Sequence, residues 1–323
     1  MNLARLSVLS AAVMIAACGG SSDQLGAGQP PTTTFAITSA NATDVTRVAW
    51  EAAIASGDFG DLGGSLGLSA TAPDGLAKAS VLQKAGGSLV TVTQLDPVQP
   101  IVTPCLSDGI VTISGDVADP LTLTVGDTFR TVYELCDDGA GEVIDGSIDF
   151  TVREFTGDVL TSLYRLSLDA VATNLQVVSA ADTITNHGDA TVTLDTMDAP
   201  FIFASVSGTS MTVDSNASSE TLSAYSSSQT VDGNLQTFPF TLTMFGTLDS
   251  TQIAGIVRYS TPVTFVGEGI DYPSSGALLI EGDNSSARLT AVDNINVTIE
   301  IDSNGDGVVD ATNETTWAAL TTS

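Results

Sequence analysis

Near the C-terminus, the stretch "DSNGDGVVD" carries oxygen-bearing side chains at spacings that suit a hard cation. Asp302, Asn304 and Asp306 occupy alternate positions, and Asp310 follows four residues later. Gly307 permits a sharp turn between them. Carboxylate and amide oxygens on a tightly turning backbone are the ligands that Ca²⁺ prefers. The sequence therefore predicts a calcium loop, with a hydrated acidic turn as the alternative.

The pattern resembles the D-x-[DN]-x-D-G-x-x-D calcium loops of EF-hands, dockerin repeats and thrombospondin-type repeats. The resemblance implies that the carbonyl of Val308 is a further ligand and that the calcium is structural. One departure concerns loop position twelve, where the EF-hand has a bidentate glutamate. This position is Asn313, and Glu314 comes one residue later. Because the flanking residues alternate as strands do, we expect a calcium-bearing hairpin instead of an EF-hand.

From about residue 88 onward, apolar and polar residues alternate, for example over 164–170, 238–244 and 295–301. Such alternation gives each strand one buried and one hydrated face, which is typical of antiparallel sheets. Gly-Asp pairs without a fixed period separate the strands. We therefore expect residues 88–323 to form a mainly β domain. Its predicted form is an antiparallel meander curled into a barrel, a half-barrel or a sandwich.

Residues 41–87 are predicted to form a helical segment before the sheet. The clearest helix covers 41–57, since Val45, Val48 and Ala52 recur on one face and Thr43 is available as its N-cap. A second helical pattern covers 75–86. The fold class is therefore a β meander with a short N-terminal helix.

Residues 1–17 have the organisation of a secretory signal peptide, with Arg5 before the apolar stretch "LSVLSAAVMIAA". That stretch is too short to span a bilayer as a helix. Its end, "IAAC", resembles the lipobox of bacterial lipoproteins, in which the cysteine is acylated and becomes the first mature residue. The resemblance implies a lipidated Cys18, and Gly19 behind it implies sorting to the outer membrane. A plain signal peptide that contains a cysteine by chance is the alternative.

Residues 18–40 are expected to be the lipidated cysteine and a flexible tether, because "GGSSDQLGAGQPPTTT" is rich in small and polar residues. The chain has three cysteines, and an odd number leaves one without a disulfide partner. If Cys18 carries lipid, Cys105 and Cys136 remain as a pair in an oxidising compartment. We therefore expect a disulfide between them, with two reduced, buried cysteines as the alternative.

The charge balance and the missing motifs exclude several functions. Lys and Arg total 9 against 38 Asp and Glu, for a net charge of −29, which repels nucleic acids. The sequence contains no G-x-S-x-G elbow, HExxH helix, Walker loop or Rossmann fingerprint. His187 is the only histidine and is expected on the surface. We therefore expect that the protein is not an enzyme.

The chain also resembles uncharacterised lipoproteins of Gram-negative bacteria. The shared features are the lipobox, the "ANATDVTRVAWEAA" helix, the cysteine-flanked segment before "DGSIDF", and the closing "DSNGDGVVD". The resemblance implies only an address, the outer membrane with a lipid anchor, and a β architecture. Apart from it, we expect an envelope protein or an apolar small molecule as partner. We expect a non-enzymatic binding or structural module at the cell envelope.

Two alternative functions stay open at this point. The first is a carrier of an apolar ligand such as a lipid, since the runs "FPFTLTMF" and "PFIFASV" would place aromatic residues on the inner face of the curled sheet. The second is a polysaccharide hydrolase that uses two carboxylates facing each other across a cleft.

Overall fold

The computed structural model describes residues 33–58 and 100–321, with gaps at 117, 119–122, 138, 140, 159–162, 181, 234–236 and 270. Within these residues, a helix is followed by fourteen strands and a second, short helix. The helices are α1 (Ala42–Asp58) and α2 (Trp317–Thr321). The strands are β1 (Ile101–Pro104), β2 (Asp108–Asp116), β3 (Thr128–Asp137), β4 (Val143–Asp158), β5 (Leu163–Val178), β6 (Thr183–Asp195), β7 (Phe201–Asp214), β8 (Ser219–Asp232), β9 (Pro239–Ser250), β10 (Gly255–Glu268), β11 (Ser275–Gly282), β12 (Ser285–Ala291), β13 (Asn296–Asp302) and β14 (Ala311–Thr316).

All of these strands belong to one antiparallel sheet, in which each strand pairs with the next one in the sequence. The edges are β1 and β14, and the sheet is not closed into a barrel. The prediction of a mainly β antiparallel meander is therefore confirmed. Of the three predicted forms, the closed barrel and the sandwich of two sheets are not found, because every described strand lies in one open sheet.

Successive strands run in opposite directions, so the turns alternate between the two ends of the sheet. The turns after odd-numbered strands lie at the end where Thr33 Oγ1 donates a hydrogen bond to the carbonyl of Gly282 (3.1 Å). We call this the Thr33 end. The turns after even-numbered strands lie at the opposite end together with α2, which begins at Trp317. We call this the Trp317 end.

Helix α1 packs against seven consecutive strands, β7 to β13. In a flat sheet, seven strands about 4.8 Å apart would span about 29 Å, nearly three times the diameter of a helix. The sheet must therefore curve around the helix. Burial agrees with this placement, because the buried residues of α1 cover a little more than half of its circumference: Ala42, Val45, Thr46, Val48, Ala49, Trp50, Ala52 and Ala53.

Bulges contribute to the curvature of the sheet. The strand register shifts near Leu135 in β3, Asn174 in β5 and Ala224 in β8. Each of these residues has a left-handed backbone, with φ values of 49°, 47° and 47°. An extra residue in one strand bends it and increases its twist. These three bulges are invisible in the sequence, since none of them is at a glycine.

Inside the strands, the predicted alternation of buried and exposed residues is confirmed. It is wrong at the first residue of two alternating runs, 238–244 and 295–301. In β13, Val297, Ile299 and Ile301 are buried on one face, as the period of two requires. Ile295 and Phe238 start their runs but are exposed, because each lies in the turn before its strand. An alternating pattern indicates faces and does not mark where a strand begins.

The N-terminal boundaries differ from the predictions in two places. The predicted tether includes residues 33–40, yet Ile37 is buried and its N–H donates to Ser285 Oγ (2.7 Å). Thr43 does not cap α1, since the helix already begins at Ala42. The predicted signal peptide, Cys18, the tether up to residue 32 and the helical pattern at 75–86 lie outside the described residues.

Candidate functional site

The predicted calcium loop is the connection of the β13–β14 hairpin at the Thr33 end. Residues 303–310 are all exposed, and the strand pairing closes with Ile301 opposite Ala311. The loop's polar side chains bind its own backbone. Asp302 Oδ1 accepts hydrogen bonds from the N–H of Gly305 (2.7 Å) and Asn304 (3.3 Å), and its Oδ2 accepts from Gly307 N–H (2.8 Å).

Two further side chains continue this pattern along the loop. Asn304 Oδ1 accepts from Asp306 N–H (2.9 Å), and Asp306 Oδ1 accepts from Val308 N–H (2.8 Å). Asp310 Oδ2 accepts from Ser303 N–H (2.9 Å) and thereby ties the end of the loop to its start. The side chains at alternate positions therefore hold successive turns of the loop through local hydrogen bonds, and calcium binding by this loop stays a prediction.

Glycine and charge shape this loop together. Gly305 and Gly307 have φ values of +72° and +81°, which residues other than glycine rarely adopt. Desolvation acts to raise the pKa of Asp302, but the N–H groups of Gly307, Gly305 and Asn304 outweigh it and hold that pKa below the ordinary value of 3.8. Asp302 is therefore ionised at neutral pH and has the charge that a cation ligand needs.

The structure does not bring Glu314 to the loop. Glu314 pairs with Thr298, four residues before Asp302 in β13, a distance of about 13 Å along the strand. The described residues contain no group of three or more His, Cys, Asp or Glu side chains gathered to hold a metal ion. The carboxylates of Asp302, Asp306 and Asp310 are thus not gathered around one point in this structure, and Asn304 and the Val308 carbonyl are the other oxygen donors that the sequence assigned to the loop.

The two cysteines of the β region meet at the same end of the sheet. The sulfur atoms of Cys105 and Cys136 lie 1.91 Å apart, and their Cα atoms are 5.5 Å apart, so the pair is at disulfide distance as predicted. Cys105 follows β1 and Cys136 lies near the end of β3, so the bond ties the edge hairpin of the sheet to the third strand.

The chain also joins the sheet at the Thr33 end. Thr34 N–H donates to the carbonyl of Ile256 (3.1 Å), and Asp283 N–H donates to the carbonyl of Phe35 (2.8 Å). These contacts lie beside the calcium-type loop, since the backbone of Gly305 packs against that of Asn284 in the β11–β12 turn. The calcium-type loop and the start of the described chain are therefore neighbours, and the cysteine pair lies at the same end of the sheet but near its β1 edge.

The aromatic runs that the sequence assigned to the inner face are divided between the two faces. Phe240, Leu242 and Met244 are buried, whereas Phe201, Phe203 and Phe245 are exposed by 44%, 38% and 55%. The prediction that "PFIFASV" presents its aromatic rings to the interior is wrong. On β7 the inner face carries Ala204 and Val206, and the phenylalanines face outward.

The interior contains polar groups that the sequence analysis missed. Asp127 is only 3% exposed, and its carboxylate accepts hydrogen bonds from Thr124 N–H (2.7 Å), Thr124 Oγ1 (2.8 Å) and Ala118 N–H (2.9 Å). Asn186 Nδ2 and Thr46 Oγ1 are buried without a hydrogen-bond partner. Asp127 follows Gly126 in one of the Gly-Asp turns, so its position was visible in the sequence but its burial was not.

Tyr225 and Asp189 form the second polar contact of the interior. Tyr225 Oη donates to the backbone carbonyl of Asp189 (2.7 Å), while the Asp189 carboxylate accepts from the N–H groups of Thr209 (2.9 Å) and Ser210 (3.0 Å). Burial raises the pKa of Tyr225, and the negative charge of Asp189 adds to this effect. These contacts bind β6, β7 and β8 together at a bulge and have a structural role.

No helix of the described chain is long and apolar enough to cross a membrane. Comparison with known proteins finds no family model, no curated protein and no solved structure that matches the chain. His187, the only histidine, is exposed on β6 and pairs with Thr212 of β7. The functional conclusion therefore depends on the chain's own residues and their placement.

Proposed function

We propose that the protein is a lipoprotein anchored in the outer membrane through Cys18, with a β domain that acts as a non-enzymatic binding or structural module at the cell envelope. The observation that carries the proposal is the attachment of Thr33 and Thr34 to one end of the sheet. Fourteen residues, 19–32, separate Cys18 from Thr33. A flexible linker of that length has a reach of about 20 Å. A lipid on Cys18 would keep the domain that close to the membrane.

What occupies the inner side of the sheet supports a binding or structural module over a carrier of an apolar ligand. Helix α1 occupies the concave side of β7 to β13 and takes the space that an apolar ligand on those strands would need. Because Phe201, Phe203 and Phe245 are exposed, fewer aromatic rings line the inner face than the carrier hypothesis required, and Phe240 is the buried one of these runs. The buried carboxylate of Asp127 accepts three hydrogen bonds within a turn, so its role is structural and does not favour the hydrolase hypothesis.

The anchor is tested by metabolic labelling with an alkyne fatty acid in a Gram-negative host. We expect label on the wild-type chain, none on Cys18→Ser, and full label on the matched control Cys105→Ser/Cys136→Ser. Membrane fractionation tests the location: the wild type should be in the outer membrane, and Gly19→Asp should move it to the inner membrane. A wild-type chain without label, or label that persists in Cys18→Ser, would contradict the proposal.

We also propose that the loop at 302–310 holds a structural calcium ion, with Asp302, Asn304, Asp306, Val308 and Asp310 as its ligands. The support is the oxygen-rich donor set, the ionised state of Asp302 and the two left-handed glycines that turn the loop. Modules of this kind outside the cytosol bind calcium with dissociation constants of about 10⁻⁴–10⁻³ M. The role of the ion would be to stiffen the Thr33 end.

Isothermal titration calorimetry tests the ion site. Asp306→Asn should weaken calcium binding about tenfold or more, because it removes one of the charged ligands. Glu314→Gln is the matched control and should leave the affinity unchanged, since Glu314 lies outside the loop. Equal effects of the two variants, or a wild-type chain that shows no heat of binding at millimolar calcium, would contradict the calcium proposal.

A further inference from the structure

The described chain enters the sheet through a short segment without regular secondary structure. Residues Thr33–Ile37, which we call the strap, cross the Thr33 end of the sheet, and α1 begins shortly after them at Ala42. The strap contacts the start of β10 and the turn between β11 and β12. Five hydrogen bonds join it to these two places.

At the start of β10, the strap and the sheet exchange two of these bonds. Thr34 N–H donates to the carbonyl of Ile256, and Ile256 N–H donates to Thr34 Oγ1, both at 3.1 Å. Gly255 makes room for the strap, since a Cβ atom at this position would lie 2.8 Å from Phe35 Cβ. Carbon atoms in normal contact are about 3.5–4.0 Å apart. The strap therefore lies directly on the strand.

At the turn between β11 and β12, the backbone of the strap is held from both sides. Asp283 N–H donates to the carbonyl of Phe35 (2.8 Å), and Thr33 Oγ1 donates to the carbonyl of Gly282 (3.1 Å). A Cβ atom on Gly282 would overlap the carbonyl oxygen of Phe35. This contact thus requires a glycine, as the contact at Gly255 does.

The last residue of the strap is its most buried one and leads into the helix. Ile37 has no exposed surface, and its N–H donates to Ser285 Oγ (2.7 Å). Asn41 Nδ2 donates to the carbonyl of Ala36 (3.1 Å), which ties the strap to the residue before α1. The strap and the start of α1 are therefore joined by side-chain contacts as well as by the chain.

The order of these elements in the chain decides which contacts meet a pull from the N-terminus. Tension on the residues before Thr33 acts first on the strap and reaches α1 only when the strap has come off the sheet. Extraction of α1 would then expose its buried face, with Val45 and Trp50, and the concave side of β7 to β13. This follows from chain order alone.

We propose that the strap is a mechanical latch, which bears tension on the N-terminal part of the chain and keeps α1 in the sheet. The inference rests on the proposed anchoring, because a lipid on Cys18 would be the source of the tension. It adds a load-bearing device to that function. Opening of the latch is the step that allows α1 to leave the sheet.

Optical tweezers test the latch on residues 18–323 produced without lipid. One DNA handle is attached to Cys18 and the other to Asp198→Cys, an exposed site in the turn after β6. Ser285→Ala should lower the mean force of the first rupture, because it leaves the N–H of Ile37 buried without an acceptor. Gly282→Ala should lower it too, since the added Cβ atom displaces Phe35. Forced unfolding reports the barrier to opening.

Two matched controls change the same residue types away from the strap. Ser286→Ala is the next position on β12, which pairs with Asp302, and Gly233→Ala lies in the exposed turn after β8. Both should leave the force of the first rupture unchanged. Thermal unfolding checks that each variant is folded. An unchanged force in both strap variants, or equal losses in the controls, would overturn the inference.

A second pulling geometry separates the latch from general stability. With Cys18→Ser and handles on Asp198→Cys and Ser323→Cys, the load does not enter through the strap. The strap variants should then rupture at the wild-type force. If they weaken equally in both geometries, Gly282 and Ser285 support the sheet as a whole and the strap is not a latch.

Hydrogen exchange measures the same opening without force. The amides of Thr34, Ile37 and the first turn of α1 should exchange about tenfold faster or more in the strap variants, while those of β4 and β5 keep their rates. Uniformly faster exchange would contradict a local latch. Because the handle replaces the lipid, a chain without label on Cys18 would contradict the anchor and leave the measured forces unchanged, so the two proposals fail separately.

Discussion

The indole rings of Trp50 and Trp317 lie 4.7 Å apart, measured between ring centroids, and join the N-terminal helix α1 to the C-terminal helix α2. They are the two tryptophans of the chain. Tyr272 stacks on Trp317 with a centroid distance of 5.4 Å, and Trp317 Nε1 donates to the carbonyl of Pro273 (3.1 Å). This aromatic cluster closes the Trp317 end of the curled sheet around α1.

Trp317→Ala should lower the free energy of unfolding by about 3–5 kcal/mol, because it removes a fully buried ring and leaves a cavity between the two helices. Urea denaturation followed by far-UV circular dichroism measures the change. Phe245→Ala is the matched control, since its exposed ring should change the stability by less than about 0.5 kcal/mol. Similar losses in the two variants would contradict this account of the cluster.

Replacement of both Cys105 and Cys136 by serine should destabilise the protein by roughly 3–4 kcal/mol. The bond closes a loop with a sequence separation of 31, and its loss increases the entropy of the unfolded chain. Chemical denaturation of the Cys18→Ser chain, with and without a reducing agent, should reproduce the difference. Coincident unfolding curves for the oxidised and reduced chains would show that the bond does not form in solution.

Asp127→Asn should cost about 1–3 kcal/mol at neutral pH, because the amide nitrogen would face a buried N–H donor. Burial alone would raise the pKa of Asp127, but the hydrogen bonds from Ala118 and Thr124 keep it below the ordinary value of 3.8. The stabilisation is therefore complete above that value and is lost as the pH falls through the lower, folded-state pKa.

The difference in unfolding free energy between the wild type and Asp127→Asn should accordingly shrink on acidification below about pH 4. Denaturant titrations between neutral and acidic pH measure it. Asp198→Asn, an exposed change in the turn after β6, should have little effect at neutral pH. A constant difference at all pH values would show that the Asp127 carboxylate is not the group that titrates.

Gly208→Ala should destabilise the sheet by about 1–3 kcal/mol through overpacking. A Cβ atom on Gly208 would overlap the backbone oxygen of Asp189 and the Tyr225 hydroxyl, which are hydrogen-bonded to each other at 2.7 Å. The melting temperature of the variant should fall, whereas Ser207→Ala on the exposed face should leave it nearly unchanged. An unchanged melting temperature for Gly208→Ala would mean that the strands around Gly208 can move to accept the Cβ atom without cost, and it would contradict the predicted overpacking.

The cysteine pair and the loop at 302–310 show which features could be predicted from the residue types and their spacing in the sequence. Cys105 and Cys136 are at disulfide distance as the count of cysteines predicted. The order of side chains in "DSNGDGVVD" predicted a calcium loop in a hairpin; the hairpin is present, its contacts join residues close in sequence, and the calcium stays a prediction. Glu314 is different, since its position depends on the register of β13 against β14.

The strand pattern of this chain determined by itself that the domain is an antiparallel meander, because alternation with a period of two needs no knowledge of distant residues. It did not determine which face of β7 is the inner one. Both faces of β7 carry apolar residues, Phe201 and Phe203 on one and Ala204 and Val206 on the other. Only the tertiary structure decided this, since α1 fills the concave side of the sheet and the small side chains face it, which leaves the phenylalanines toward solvent.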